Sequence, residues 1–342
     1  MTASPAVDVC IVSHGSAADL PVCLASVAAL EHRPLAAVVV DCASADGSAA
    51  VAETQREALA AKGVALTVEP LADNAGFAAA MNRALALSAG DSAGEWVLSL
   101  NPDARPAPNY LSRLLARAAA HPELRVGAVT GRLVREAPGG GGAPALDACG
   151  MRLTRSWRHL DRGSGEPDDG RFGAAERVFG ATGAASLFRR AALDDAAVEG
   201  EAFDPLFHSF REDAELAFRL RERGWEVLYE PAARAVHRRW SLPERRRSLP
   251  PEVNRHSLKN RYLLRLHHQT AANLRRTLPW ALGRDLAALA WVLAAERSSL
   301  PAYGWLWRHR REILARRRAI QARRTVPARE LDRWFGCSGM PL

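Results

Sequence analysis

The sequence lacks the cysteine patterns that would indicate disulfides or a zinc site. Its five cysteines are scattered and form no C-x-x-C pair: Cys10, Cys23, Cys42, Cys149 and Cys337. That spacing predicts reduced thiols and a cytosolic compartment. The first 15 residues have no cationic segment and only a short apolar run, so we expect no secretory signal.

Two nucleotide-binding signatures are also missing. The chain contains no G-x-G-x-x-G, which argues against a dinucleotide-binding domain. A nucleotidyltransferase would need a glycine-rich loop with a lysine or arginine after the first predicted strand. Residues 13–21 occupy that place and contain neither cation, which argues against this second class of enzyme.

Lysine is nearly absent, because Lys62 and Lys259 are the only two, so arginine carries the positive charge. That charge is unevenly distributed. Residues 1–231 contain 22 Lys and Arg against 31 Asp and Glu, whereas residues 232–342 contain 24 against 7. The net charge is therefore −9 for the first part and +17 for the second, and +8 in total. An acidic body with a basic tail predicts an anionic partner for the tail.

Short β-branched runs alternate with alanine-rich segments through the first half of the chain. Four strands are predicted, with helices between them, at 7–13, 35–44, 63–70 and 95–101. This alternation predicts right-handed βαβ units, an α/β class and a mostly parallel, Rossmann-like sheet. Residues 136–144 predict a flexible surface loop. From Pro250 onward the pattern is helical, so we expect an α/β domain over residues 1–240 and a basic helical region over 241–342.

Polar residues follow the ends of two predicted strands. "VLSLNPDARP" ends a buried strand at Asn101, because Pro102 lacks the amide donor that would continue the ladder. Asp103 would then stand at the carboxyl edge of the sheet, where open α/β sheets bind ligands. Alternatively, Asn-Pro-Asp is a turn with a solvated aspartate. Asp41 closes the second strand and could accept hydrogen bonds from a nucleotide, or it could form a helix N-cap cluster with Ser44.

The segment "DNAGFAAAMNRAL" begins a predicted helix at about Gly76. A glycine there would let the backbone approach a ligand closely, and the helix N-terminus favours a phosphate. Alternatively, Asn74 is only a helix cap and Asn82 is a residue on the polar face of the helix.

The segment "FREDAELAFRL" places acidic residues in the first turn of a predicted amphipathic helix that ends at Gly224. Such residues can balance the helix dipole, or one of them can serve as a general base. Glu212 and Asp213 lie about 100° apart on a helix, so we expect only one of them to face a cleft.

His237 follows the predicted strand "EVLYEP". A lone histidine is more often structural than a metal ligand. Mg²⁺ prefers oxygen ligands, whereas Mn²⁺ also accepts an imidazole. Asp103 and His237, with two diphosphate oxygens and water, would complete an octahedral site, although neither residue establishes such a site by itself.

In chain order, these segments resemble the motifs of the family 2 inverting glycosyltransferases, which have the GT-A fold, and especially bacterial rhamnosyltransferase-like members. The resemblance covers roughly residues 6–262 and rests on "VVVDCASADGS", "DNAGFAAAMNRAL", "LNPDA", "FDPLFHSFREDAELAFRLRERGW" and "AVH". It implies Asp213 as the catalytic base, with Asp103 and His237 as ligands of Mg²⁺ or Mn²⁺. It also implies a nucleotide-sugar site formed by Asp41, Ser44, Asn74, Gly76, Asn82 and Asn101.

The function that this resemblance implies is metal-dependent, inverting transfer of a sugar, for example rhamnose, from a nucleotide-diphosphate donor. The acceptor would be a hydroxyl of a glycan or of a polyprenyl-diphosphate-linked glycan, in cell-envelope polysaccharide synthesis. Cys42, Ala84 and Glu215 depart from the family pattern and leave the sugar donor open. The alternative is a catalytically silent module of the same fold that binds a nucleotide or a glycan. The retained base and metal ligands argue against it.

The basic tail begins with a predicted helix that has four leucines on one face: Leu282, Leu286, Leu289 and Leu293. Its uninterrupted apolar run, 286–295, is shorter than the about 20 residues that span a bilayer. The next segment combines Trp305 and Trp307 with many arginines, which is typical of helices at anionic membrane surfaces. A helical subdomain packed on the sheet is the alternative. No nucleic-acid-binding motif accompanies the charge. Because the charge split and the tryptophan–arginine segment fit a membrane surface best, we expect a cytoplasmic protein that is peripheral on the inner face of the cell membrane.

Overall fold

The computed structural model describes residues 4–90, 93–136, 145–239 and 250–342. Most of the predicted loop at 136–144 lies outside the described residues. The strands are β1 (Val7–Ser13), β2 (Leu35–Asp41), β3 (Val64–Pro70), β4 (Trp96–Leu100), β5 (Ala104–Pro106), β6 (Val126–Arg135), β7 (Leu146–Ala148), β8 (Met151–Leu153), β9 (His159–Asp161), β10 (Glu176–Arg177), β11 (Ala185–Arg189), β12 (Glu226–His237) and β13 (Met340–Pro341).

Helices connect most of these strands and make up nearly all of the C-terminal region. They are α1 (Leu20–Ala28), α2 (Ser48–Glu53), α3 (Arg56–Ala60), α4 (Gly76–Leu87), α5 (Tyr110–Ala119), α6 (Arg190–Ala196), α7 (Glu212–Glu222), α8 (Pro251–His268), α9 (Ala271–Ala295), α10 (Pro301–Arg308) and α11 (Arg310–Ala322). Short 3₁₀ helices lie at Pro205–Phe207, Arg297–Ser299 and Ala328–Trp334. The helical pattern predicted from Pro250 onward is therefore confirmed.

A mixed sheet forms the centre of the fold, in the order β13-β10-β12-β6-β11-β4-β1-β2-β3. The four strands β3, β2, β1 and β4 are parallel to one another, as the alternating pattern predicts. β11 runs antiparallel between β4 and β6, whereas β6 and β12 are parallel. The predicted α/β class is confirmed, and the antiparallel pairs lie in the second half of the sheet.

Strand β1 shows why the sheet is central, because each of its seven residues is buried. Val7, Val9 and Ile11 pack into the apolar layer on one face of the sheet, and Cys10 and Val12 pack into the layer on the other face. Both faces are thus covered, as is expected of parallel strands with nearly continuous apolar sequence. The cysteines are all free, as their spacing predicts.

The C-terminal region shares a third apolar core with the α/β body. Trp157 and Phe218 of the body pack in one cluster with Leu263, Ile313 and Trp334 of the C-terminal region. The last strand, β13, also pairs with β10 at the sheet edge. The boundary predicted between residues 240 and 241 lies outside the described residues, and the division into two domains stays a prediction.

Candidate active site

A cleft of about 610 Å³ opens at the carboxyl ends of β1, β2 and β4. His14 and Cys42 line it just after β1 and β2, and Asn101 lines it just after β4. Asp213, from the first turn of α7, and His237, from the end of β12, also line the cleft. The structure thus brings together residues that are far apart in the sequence.

Asp103 and His237 are neighbours because β5 begins directly after Asp103 and lies beside β12. β5 pairs with β12 so that Ala104 lies opposite His237. The Asp103 carbonyl accepts a hydrogen bond of 3.0 Å from the N–H of Arg238. Oδ1 of Asp103 then lies 3.2 Å from Nε2 of His237. Because Pro102 cannot continue the hydrogen-bond ladder of β4, the chain leaves that strand, and the Asp103 carboxylate lies beside His237.

Asp147 holds the other side of the His237 ring. Its Oδ2 lies 2.7 Å from Nδ1 of His237. Burial alone would lower the pKa of His237, but the hydrogen bonds to Asp103 and Asp147 outweigh burial and raise the pKa to about 9. The ring is therefore an imidazolium between two carboxylates when no cation competes with its proton.

Arg239 fixes Asp147 in turn. Its guanidinium donates to Oδ1 of Asp147 at 2.7 Å and to Oδ2 of Asp161 at 2.8 Å. Sequence reasoning missed all three residues. Arg239 directly follows Arg238 and His237, so its position beside a candidate ligand was a usable signal. Asp147 is a buried acid in the short apolar stretch "APALDACG", and that pattern was its only local signal.

The donor set at this point fits a divalent cation. A carboxylate oxygen and an imidazole nitrogen face the same cleft, and this mixed set suits Mn²⁺ better than Mg²⁺. A hydrogen bond from Nδ1 to Asp147 is the supporting contact that metal-bound histidines usually make. Asp103 and His237 would hold the cation, and Asp147 would orient the histidine.

Asp213 lies at the start of α7 with its carboxylate held by two backbone groups. Oδ2 accepts from the N–H of Gly183 at 3.1 Å, and Oδ1 accepts from the N–H of Ala214 at 2.7 Å. Burial, and secondly the charge of Asp161, raise the pKa of Asp213 to about 6. A carboxylate that is ionised at pH 7 but more basic than usual suits a general base.

Glu212 also lines the cleft, so the expectation that only one of the two acids could face it was wrong. The cleft wraps around the end of α7, where two adjacent side chains can both reach it. Burial, and then the charge of Asp213, raise the pKa of Glu212 well above its usual range. Glu212 and Asp213 therefore titrate as a pair, and burial favours keeping one proton on the pair.

Asp41 and Ser44 form a closed hydrogen-bonded turn at the end of β2. Asp41 accepts from the Ser44 hydroxyl at 2.6 Å and from the Ser44 N–H at 2.9 Å, and Ser44 Oγ accepts from the N–H of Gly15 at 2.9 Å. Neither side chain is among the described residues that line the cleft. This cluster shapes the loop beside the cleft, and its role in nucleotide binding stays a prediction.

Asn74 lines the cleft and caps the turn before α4, with Oδ1 accepting from the Gly76 N–H at 3.0 Å. Gly76 begins α4, as predicted, with φ of +80°. A Cβ there would lie 2.5 Å from the His208 ring. The close approach that glycine permits is therefore to a side chain of the protein itself.

Asn82 and Asn101 differ in their position relative to the cleft. The Asn82 side-chain amide donates to the Phe203 carbonyl at 2.7 Å, and its oxygen accepts from the Phe203 N–H at 2.8 Å. Asn82 is not among the described residues that line the cleft. Asn101 lines the cleft, and its N–H donates to the Ala184 carbonyl at 2.8 Å. Their roles in binding a nucleotide sugar stay predictions.

A second group of possible ligands, Glu215, His267 and His268, lies buried between α7 and α8. Arg219 already binds the Glu215 carboxylate through two nitrogens. Although burial favours the neutral acid, Arg219 and His268 hold the pKa of Glu215 well below its usual range. Arg219 and His268 therefore balance the charge of Glu215 without a metal ion. The contacts of this group join the C-terminal region to α7. Glu222 extends it, lying 3.0 Å from the His268 ring.

The fold and the cleft agree with the families and proteins to which this chain is similar. The chain belongs to glycosyl transferase family 2, whose family model matches residues 8–196, more than half of its length. It is therefore a glycosyltransferase that takes its sugar from a nucleotide-sugar donor. Among characterised proteins, it is similar to the N-acetylglucosaminyl-diphospho-decaprenol L-rhamnosyltransferase of Mycobacterium tuberculosis. The two are 29% identical over 231 residues, which cover 63% of this chain and 70% of the other.

Solved structures show the same fold at lower identity. The mannosyltransferase PcManGT from Pyrobaculum calidifontis, in complex with GDP-Man and Mn²⁺, has a TM-score of 0.53 and 21% identity, covering 94% of this chain and 86% of that one. S. aureus TarS 1-349, in complex with UDP-GlcNAc, has a TM-score of 0.54 and 17% identity, covering 92% and 90%. At these identities the likeness shows the GT-A fold alone.

Proposed function

We propose that this glycosyltransferase moves a sugar with inversion of its anomeric configuration, and that Asp213 is the catalytic base. The observation that carries the proposal is the shared cleft, which holds Asp213 at one wall and the Asp103–His237 pair at another. A base on one side and a site for a diphosphate-bound cation on the other side are the two elements that a direct displacement needs.

In the proposed reaction, Asp213 accepts the proton of an acceptor hydroxyl. The hydroxyl oxygen forms a bond to the anomeric carbon from the face opposite the nucleotide, and the bond from that carbon to the diphosphate oxygen breaks. The nucleoside diphosphate leaves, and one displacement inverts the configuration. The Gly183 N–H orients the Asp213 carboxylate throughout.

Asp103 and His237 would hold Mn²⁺ or Mg²⁺ in this reaction. When bound, the cation would neutralise charge on the leaving diphosphate. Asp147 would keep the proton of His237 on Nδ1, so that Nε2 offers its lone pair to the cation. Arg239 would keep Asp147 in place.

The sugar and the acceptor are proposed from the mycobacterial relative. Its 29% identity over 231 residues supports L-rhamnose as the sugar. It also supports an acceptor linked to a polyprenyl diphosphate, in cell-envelope polysaccharide synthesis. Such an acceptor remains in a membrane, so the protein is proposed to be cytoplasmic and peripheral on the inner membrane face.

The first experiment is thermal unfolding of the purified protein with UDP, dTDP, GDP or CDP, each with and without Mn²⁺. A ligand at about 100 times its dissociation constant adds about 2.7 kcal/mol of stability. We expect one nucleotide to stabilise the protein in the presence of metal, and the Asp103→Ala variant to lose that effect. Asp169→Ala is the matched control, because Asp169 is exposed and lies outside the cleft lining of the described residues.

Product analysis with the stabilising nucleotide sugar then tests the reaction. An inverted glycoside supports the proposal, whereas a retained configuration contradicts a single displacement. If no nucleotide changes the unfolding temperature under any condition, a catalytically silent module that binds glycans replaces the proposed function.

A further inference from the structure

Helix α9 carries a row of exposed leucines along its length. Successive members are three or four residues apart and therefore share one face of the helix. They are 40% to 60% exposed. We call this set the leucine row: Leu278, Leu282, Leu286, Leu289 and Leu293.

A narrow stripe beside the leucine row fixes α9 to the rest of the protein. Thr277, Ala281 and Val292 are buried. The Thr277 hydroxyl accepts a hydrogen bond of 3.0 Å from the indole of Trp157, and Asp285 pairs with Arg261 at 2.6 Å. Because these contacts fix the rotation of the helix, the leucine row faces outward as part of the fold. A contiguous apolar surface of this kind usually marks an interaction site.

The exposed charges of the C-terminal region indicate which partner covers the leucine row. Some tail arginines are neutralised by the body, as Arg316 is by Glu199 and Glu201, and Arg324 is by Glu222. Others are exposed, and no carboxylate of the described residues lies within ion-pair distance of them: Arg308, Arg310, Arg311 and Arg318. These four are accessible to a negatively charged partner.

Trp307 stands among these arginines and is 69% exposed, with the Arg310 guanidinium over its ring. Leucine, tryptophan and arginine together match the boundary of an anionic bilayer, where apolar side chains enter the acyl region and arginines meet phosphates. A second copy of this chain fits less well, because each copy would bring the same positive charge.

Helix α9 suits a position in the membrane plane rather than across the bilayer. By length and composition it is long and apolar enough to cross, and its most apolar window is only 11% buried, unlike the core helix of a soluble protein. Crossing would break the Thr277 and Asp285 contacts. It would also put Arg284 and Asp285 into hydrocarbon, which is costly.

The leucine row ends close to the mouth of the cleft. Val292 packs with Leu258 of α8 and with Ala302. The residue before Leu258 is Ser257, which lines the cleft. The C-terminal half of α9 therefore packs beside the part of α8 that contributes Ser257 to the cleft.

We propose that α9 docks in the plane of an anionic lipid bilayer through the leucine row, so that the cleft opens at the membrane surface. The consequence for the acceptor rests on the proposed function: a sugar on a lipid diphosphate reaches Asp213 while its lipid stays in the bilayer. Docking itself depends only on α9 and on the exposed arginines of α10 and α11.

The test is sedimentation with phosphatidylglycerol vesicles, compared with phosphatidylcholine vesicles, at low and high salt. The full-length protein should bind the anionic vesicles at low salt. The triple variant Leu282→Gln, Leu286→Gln, Leu293→Gln should bind them more than about tenfold more weakly, because half-exposed apolar side chains no longer enter the bilayer. Its thermal stabilisation by the nucleotide should be unchanged, which shows that it is folded.

Two further variants sharpen the result. Val22→Gln with Leu342→Gln removes exposed apolar residues outside α9 and should bind vesicles as the wild type does. Replacing Arg308, Arg310, Arg311 and Arg318 by Gln should weaken binding by about fivefold per arginine and reduce its salt dependence.

Either of two results would overturn the docking proposal. One is wild-type binding by the leucine variant. The other is self-association of the wild-type protein, seen by sedimentation velocity, that the leucine variant abolishes while no vesicle is bound. Failure of sugar transfer to a water-soluble acceptor would instead count against the proposed function, because that assay needs no membrane.

Discussion

At the scale of single residues, Asp213 is the group on which the proposed chemistry depends most directly. Asp213→Asn should lower kcat by about 10²- to 10⁴-fold, the usual contribution of a general base. The same change should raise the unfolding temperature at pH 7, because it removes a carboxylate whose ionised form is disfavoured by burial. Steady-state rates and thermal unfolding measure the two effects. A variant with wild-type kcat would remove Asp213 from the mechanism.

The pH dependence of the reaction follows from the same residue. The pKa of Asp213 is raised to about 6, so kcat/KM should rise with pH through about 6 as the base ionises. The stability contribution has the opposite direction: it is present below the unfolded pKa and is lost as the pH rises through about 6.

Asp161→Asn should move the acidic limb of the rate profile to lower pH, since its charge is the second cause of the raised pKa of Asp213. Asp169→Asn, at an exposed position, is the control. An unmoved limb would mean that another group controls the profile.

Asp147 is a positioning residue, and it should act through metal affinity. Asp147→Asn should weaken Mn²⁺ binding by about 10- to 100-fold, as is usual when the partner of a metal-bound histidine is lost. Isothermal titration with Mn²⁺ in the presence of the stabilising nucleoside diphosphate measures this directly. Asp168→Asn is a matched control, because Asp168 also pairs with a buried arginine, Arg132 at 2.9 Å, but is not among the described residues that line the cleft.

At the scale of elements, the start of α4 depends on Gly76. Gly76→Ala should destabilise the protein by more than the about 1 kcal/mol expected for an alanine at positive φ, because its Cβ also meets the His208 ring. Gly47→Ala separates the two effects, since Gly47 has φ of +83° and no heavy atom lies within 4 Å of the position that a Cβ would take there. Denaturant unfolding of both variants gives the comparison. Equal losses would show that the ring moves aside.

How far the sequence predicts an element depends on what covers it. The bounds of β1, β3 and α4 follow from local patterns, because a continuous apolar run, alternating burial and a glycine position are properties of short segments. The amphipathic pattern predicted for α7 is wrong in one respect: residues 214–222 are all buried. The charged side of α7 is covered by α8, where His268 pairs with Glu222. The segment just after α11 also covers it, because Arg324 pairs with the same Glu222. A long-range cover of this kind has no local signal.

At the scale of the whole molecule, the change in charge near residue 232 coincides only in part with a structural division. Some tail arginines, such as Arg316 and Arg324, pair with carboxylates of the acidic body, and others, such as Arg308 and Arg318, are exposed. The sequence predicts an anionic partner for the tail, but it cannot apportion the arginines, because their partners lie far away in the chain. The same limit explains the missed Asp147, which meets His237 across 90 positions.

A chain that ends at residue 240 should not unfold cooperatively. It would lose Leu263, Ile313 and Trp334 from the core that contains Trp157 and Phe218. Circular dichroism during heating, compared with the full-length protein, measures this. A sharp transition at the wild-type temperature would instead establish residues 1–240 as an independent domain.

The buried contacts between α7 and the tail also constrain how such a protein can diversify. Glu215, Arg219 and Glu222 belong to α7, which also carries the proposed base, and His268 and Arg324 belong to the tail that contacts them. Exchange of the tail between paralogous enzymes by recombination would leave acids or arginines buried without their counterparts, which costs several kcal/mol. Descendants are therefore expected to inherit the tail and α7 together, and to vary acceptor preference by point substitutions.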